Sequence, residues 1–243
     1  MPRAFYRAIR ESQSKHPHLI AITRRRTGTT DKQVTDQLLC AACEDRFNRG
    51  GEKWMANWGA RRGRFSLLER LGLAVRGKRL TEATMYSGST TGVETEKLGY
   101  FALSMLWRGA VHEWRGLLGE RLPKLDLRGM EETIRQYLLG ERPFPRDAVV
   151  LIHVCTDRTS QQSMFGPCQA MDKRTSFEML ALGIHFFIFL GTTINETLRK
   201  MCCVTSKDRP LFVRDCKSRI TAHVSLLAKA SKRSKKIEAE WPD

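Results

Sequence analysis

Residues 38–54 read LLCAACEDRFNRGGEKW. Cys40 and Cys43 stand three apart, and an acid, Glu44, follows the second cysteine. A C-x-x-C pair supplies half of a tetrahedral zinc site. The bland reading of the same residues is two thiols on a buried helix face. A structural zinc takes four ligands, and no second C-x-x-C occurs in the chain. Glu44 at the edge of such a knuckle can meet a second metal, or it can act as a cap or pair with Arg46. A helix is expected to open near the cysteines and to break at Gly50-Gly51.

The surroundings of this stretch are strongly basic. The chain has 243 residues and a net charge of +16. Residues 1–80 hold 18 Lys and Arg against 7 Asp and Glu, whereas residues 81–199 are close to neutral. A basic N-terminal third around a C-x-x-C element reads as a polyanion-binding surface, with nucleic acid as the partner; a solubilising surface is the alternative. The arginines singled out are Arg24, Arg25 and Arg26, followed by Arg61, Arg62 and Arg64 beside Trp54, Trp58 and Phe65. Arginines interleaved with aromatics suit phosphate contacts and base stacking. They equally suit a surface loop whose tryptophans dock on the core.

Seven cysteines at irregular spacing, with no secretory apolar segment at the start, predict reduced thiols and a cytoplasmic location. The longest apolar run, 179–191, is too short to span a bilayer as a helix. Residues 1–17 predict a short helix with Phe5 and Ile9 on one face, ending by Pro17. Residues 19–26 predict a strand that turns at Gly28. Residues 81–97 read as a connector. Residues 98–115 carry apolar side chains at helical spacing, with His112 outside the stripe and exposed; 130–139 is a second helix. Residues 148–155 (AVVLIHVC) read as a buried strand, and 177–190 as strand with a hairpin or bulge at Gly183. His153 and Cys155 fall on one face of the first strand, and a metal there needs two further ligands, for which Cys168 and His185 are available. The expected domains are 1–80, a basic zinc-knuckle region; 81–204, a helical and β-rich core; and 205–243, a basic tail. The fold class is α+β. No phosphate-binding loop or dinucleotide fingerprint occurs.

Three stretches carry a resemblance: LLCAACE at 38–44, FALSMLWR at 101–108 and EETIRQYLL at 131–139. With these the chain resembles a group of bacterial proteins similar to HNH endonucleases, over most of residues 1–192. The resemblance implies a treble-clef zinc element at the N-terminus, a helical middle and a β-rich C-terminal section. It further implies a first cysteine pair and a Ser-His-Ile-x-Pro segment ahead of the knuckle. MPRAFYR is similar to the segment directly after that histidine, so the resemblance implies that the first pair and the histidine precede Met1, through a misplaced start or a truncation. In an HNH site a histidine activates water and a divalent metal such as magnesium stabilises the developing charge. The resemblance carries over Cys40 and Cys43 as zinc ligands, and Glu44 and Asn48, four apart, as the catalytic positions on the helix. The general base has no counterpart; His16 and His18 lie nearby, but the family pattern does not place it there. The implied function is an HNH-like endonuclease, or a degenerate derivative, acting on DNA rather than RNA. The alternative is a non-catalytic, zinc-stabilised regulatory or protein-interaction module.

Overall fold

The run AVVLIHVC at 148–155 is the spine of the molecule. Seven of its eight residues are buried. The computed structural model describes residues 2–12, 19–23, 26–30, 32–34, 36–74, 77–170, 175–230 and 232–233. In chain order the first elements are α1 (Arg3–Ser12), β1 (Leu19–Ile22), β2 (Arg26–Thr30), α2 (Ala41–Phe47), a π turn (Asn48–Glu52), α3 (Lys53–Trp58), β3 (Ala60–Arg61), β4 (Arg64–Phe65) and α4 (Ser66–Gly72). Next come β5 (Lys78–Arg79), β6 (Thr84–Ser87), α5 (Gly88–Thr91), α6 (Thr95–Val111) and α7 (Glu131–Leu138). Then follow β7 (Ala148–Cys155), α8 (Arg158–Gln161), β8 (Phe165–Gln169), β9 (Ser176–Ala181) and β10 (Ile184–Leu190). The chain continues with α9 (Glu196–Lys200), β11 (Pro210–Arg214), α10 (Lys217–Ala230) and β12 (Lys232–Arg233).

The fold is α+β. A seven-stranded mixed sheet runs in the order β5-β6-β11-β7-β10-β9-β8. β7 pairs antiparallel with β10 and parallel with β11. Side chains alternate across a strand. Val150, Ile152 and Val154 therefore join Ile184, Phe186 and Ile188 in the main core. The opposite face carries Val149, Leu151 and Cys155 in two smaller clusters. Helix α6 lies on the main face, where Phe101 meets Phe186 at 5.6 Å between ring centroids. Leu98, Phe101, Ala102, Leu103 and Leu106 are fully buried there. The β9–β10 hairpin closes through Leu182 and Gly183, both at positive φ (51° and 78°), as a two-residue hairpin turn requires.

Four expectations are corrected. The helix opened at the cysteines does not stop at Gly50-Gly51; it passes through the π turn into α3. The glycines are there because α6 comes close. A Cβ at Gly50 would lie 2.2 Å from the Tyr100 ring, and one at Gly51 2.7 Å from the Lys97 carbonyl oxygen. Gly28 is no turn but sits inside β2, opposite Ala21. Residues 81–97 are not a connector, because β6 is a strand of the main sheet and the 80/81 boundary falls within the β5–β6 hairpin. Nor does a tail begin at 205: β11 lies between β6 and β7, and α10 follows it. One core joins Phe5, Phe47, Phe101, Phe186 and Leu211, from both ends of the chain. No described helix is long and apolar enough to cross a membrane.

Candidate metal centre and adjoining cleft

Cys40 caps the N-terminus of α2 in an extended conformation (φ −71°, ψ 162°), and Cys43 falls in the first turn. The Cys40 carbonyl accepts the Glu44 N–H at 2.9 Å. This turn brings the two thiols together at an open helix end. The Cys43 backbone N–H, and then its thiol, hold Cys40 below the usual thiol range. The Cys43 thiol is pushed up in return by the hydrogen bond to Cys40. Cys40 is exposed and Cys43 half-buried. Two adjacent, accessible thiols preceded by the antiparallel pair β1–β2 fit one half of a zinc knuckle. Among the described residues no group of three His, Cys, Asp or Glu side chains is arranged to hold a metal ion. The donor set at this point is therefore two sulfurs, and zinc would take its other ligands from elsewhere.

Beside the cysteine pair opens a cleft of about 640 Å³, walled by Tyr6, Asp36, Glu44, Glu52, Arg108 and Trp114 among others. Arg108 organises it. Its Nη1 donates to Glu52 Oε1 at 2.5 Å, and its Nη2 lies 3.6 Å from Glu44 Oε2. The guanidinium sits 5.0 Å above the Phe47 ring. Arg108 and Glu52 are about one-tenth exposed, whereas Glu44 is 53% exposed. Glu44 thus reaches the cleft with one carboxylate oxygen near a cation. Asn48, the first residue of the π turn, is exposed and is not one of the cleft walls. Asn48 therefore does not share this cleft with Glu44.

His112 is not simply exposed. Its Nε2 lies 2.7 Å from Asp36 Oδ2 and its ring stands edge-on to Trp114 at 4.8 Å. The hydrogen bond with His112 holds the Asp36 carboxyl below its usual range. The partners are separated by 76 residues, and no local pattern in the sequence marks them.

The arginines divide. Arg24 and Arg25 lie outside the described residues, as do His16, Pro17 and His18; Arg26 begins β2. Arg61 and Arg62 both reach Glu11, at 3.3 Å and 3.0 Å. Arg64 lies 3.4 Å from Glu69. All three are exposed, on the β3–β4 hairpin. Of the two readings of the aromatics beside them, the structure has the one in which they pack on the core. Trp54 is buried and stacks on Trp58 at 5.3 Å, and Phe65 is buried. Ser104 donates to the Phe101 carbonyl and is buried.

On the second face of the sheet His153 and His185 are direct cross-strand partners, with ring centroids 6.4 Å apart. Cys168 does not join them as a ligand; its thiol contacts the Glu178 carbonyl at 3.6 Å. Cys216, which no motif in the sequence marks, stands with them. Cys202 and Cys203 are buried packing residues. The comparisons with known proteins return no match for this chain: no family model, no curated protein and no solved structure.

Proposed function

We propose that the chain is a nucleic-acid-binding protein of HNH-like design, stabilised at its N-terminal third by a zinc knuckle, with DNA as the polyanion. The observation that carries this reading is the pair Cys40 and Cys43, brought together in the first turn of a helix that follows an antiparallel strand pair. That order fits the second half of a treble clef. Zinc bound there supplies a fold-stabilising crosslink. Arg61, Arg62 and Arg64 form the described part of the phosphate-contacting surface, with Arg24, Arg25 and Arg26 as its proposed extension.

Binding is favoured over cleavage by one contact. Glu44, the proposed position for a catalytic divalent metal such as magnesium, already faces Arg108 at 3.6 Å. A nearby cation works against a second one at the same carboxylate. Glu44 so placed does not suit a catalytic metal. The second reading, a non-catalytic module with a protein partner, is favoured by the carboxylates that already hold Arg61, Arg62 and Arg64. Reduced thiols at all seven cysteines suit action in the cytoplasm.

Cobalt(II) substitution tests the knuckle. Thiolate-to-cobalt charge-transfer absorption is expected, and it should disappear in Cys40→Ser and in Cys43→Ser. Absorption unchanged in either variant would overturn the proposal.

A further inference from the structure

The second face of the main sheet holds a cluster that the knuckle and cleft do not use. β11 ends at Arg214, and Cys216 follows two residues later, immediately before α10. Its carbonyl accepts the Ile220 N–H at 3.0 Å, so Cys216 is the cap residue of this helix. Its own backbone N–H donates to Asp157 Oδ2 at 3.0 Å. The backbone is thus fixed on both sides of the sulfur. The side chain packs against Cys155 of β7 and Ile220 of α10.

Cys216 lines a cavity of about 300 Å³, together with His153, His185, Phe187, Arg214 and Arg219. His185 is fully buried. Its Nε2 lies 3.1 Å from Glu178 Oε2. Its Nδ1 has no hydrogen-bond partner among the described residues. An orphaned buried nitrogen costs free energy, and a catalytic role is one reason a fold retains it. Glu178 is itself buried and is also reached by Arg219 Nη2 at 3.2 Å. The Cys216 thiol contacts the Arg214 carbonyl at 3.9 Å and lines the same cavity as His185; a thiol, an imidazole and a carboxylate gathered at one cavity supply a nucleophile, a base and the group that orients the base.

We propose that Cys216 is the nucleophile of a thiol-dependent acyl-transfer site, with His185 as its base, Glu178 as a positioning residue and a small acyl ester or thioester as its substrate. Ionisation of the cluster agrees with the geometry. Contact with Cys155, followed by contacts with His153 and His185, holds the Cys216 thiol well below its ordinary range against the opposing effect of burial. The Cys155 thiol is pushed up by the same contact and stays protonated. Burial alone would raise Glu178, but the His185 hydrogen bond and the Arg219 charge outweigh it and leave the carboxyl below its usual range.

The step balances without a further reagent. Cys216 attacks as the thiolate, its proton already carried by His185, and sulfur bonds to the acyl carbon. The carbon–oxygen bond of the ester breaks, and the departing alkoxide takes the proton from the imidazolium. Water, deprotonated by the same imidazole, then attacks the thioester and releases the acid and the thiol. The cavity stands at the lower end of the range for ligand pockets, so the acyl group is small. Phe187 supplies an apolar wall.

The test uses the full chain and p-nitrophenyl acetate. The expected result is a burst of p-nitrophenolate equal to the protein concentration, with one acetyl group mapped by mass spectrometry to Cys216. His185→Gln should slow acylation by roughly a hundredfold or more. Glu178→Gln should lower the acylation rate and leave the half-saturating ester concentration unchanged. Because the variants can disturb folding, labelling of the unaltered protein decides the matter. Acetylation of Cys40 or Cys43 in place of Cys216, or labelling of Cys216 only after denaturation, would overturn the proposal.

Discussion

Replacing Arg108 by Met should be among the most destabilising single changes in this protein. The Arg108–Glu52 pair is 2.5 Å long and about nine-tenths buried on both sides. Removing one partner of a buried pair leaves an uncompensated charge and costs about 3–5 kcal/mol. Loss of the guanidinium over Phe47 adds roughly 0.5–1 kcal/mol, partly recovered by the Met thioether. Glu44 contributes little to the sum, because its 53% exposed carboxylate keeps its water. Glu44→Gln should therefore cost less than about 1 kcal/mol. The double change Glu52→Leu with Arg108→Met removes both charges and should return to within about 2 kcal/mol of the starting protein. Urea unfolding followed by tryptophan fluorescence reads the starting protein, Glu52→Leu, Arg108→Met and the double variant as a double-mutant cycle, with Glu44→Gln measured beside it. With a slope of about 2–3 kcal/mol/M, Arg108→Met should lower the midpoint by roughly 1–2.5 M. A loss under about 1 kcal/mol, or a double variant no better than Arg108→Met, would refute the reasoning.

Two further outcomes can be measured on the same instrument. Gly51→Ala should destabilise, although Ala is favoured over Gly in helices by about 1 kcal/mol. The new methyl would meet the Lys97 oxygen at 2.7 Å and Phe101 Cβ at 2.8 Å, so overpacking of about 1–3 kcal/mol should exceed that gain; a rise in the thermal midpoint would count against the close α6 contact. Tyr100 gives a pH signature. Burial pushes its hydroxyl up to about 12 from an ordinary value of 10.0, and the hydroxyl donates to the Leu138 carbonyl at 2.8 Å. The folded state binds this proton more tightly, so the stabilisation is complete below pH 10.0 and is lost as the pH rises to about 12. Tyr100→Phe should lose about 1 kcal/mol at neutral pH and show a shallower alkaline decline; an unchanged decline would show that other groups govern it.

Much of the fold was legible where one segment carries its own signal. The apolar spacing of α6, the unbroken apolar run of β7 and the aromatic β-branched hairpin around Gly183 each point to one structure without help from distant residues. What the sequence hid depends on partners far along the chain. Gly50-Gly51 reads as a stop until Tyr100 and Lys97 are placed beside it. PLFVR at 210–214 is short and flanked by charge, and only its seat between β6 and β7 makes it a core strand. Trp54 and Trp58, amid arginines, read equally as a stacking platform or as core packing until Trp54 is seen buried with Trp58 stacked on it. In the candidate centre, Cys40 and Cys43 were readable from spacing alone. The Arg108–Glu52 lock, the Asp36–His112 pair and the Cys216 cluster were not, because each joins residues far apart in the chain.

The central claim, a basic surface that binds DNA, is tested most directly by one salt titration. Duplex binding by the zinc-loaded chain is measured by fluorescence anisotropy from low to physiological salt. A steep linear fall of log K with log salt is expected, with a slope shallower by about 3 when Arg61, Arg62 and Arg64 are all changed to Gln. Binding that is indifferent to salt, or a slope unchanged by the triple substitution, would contradict it.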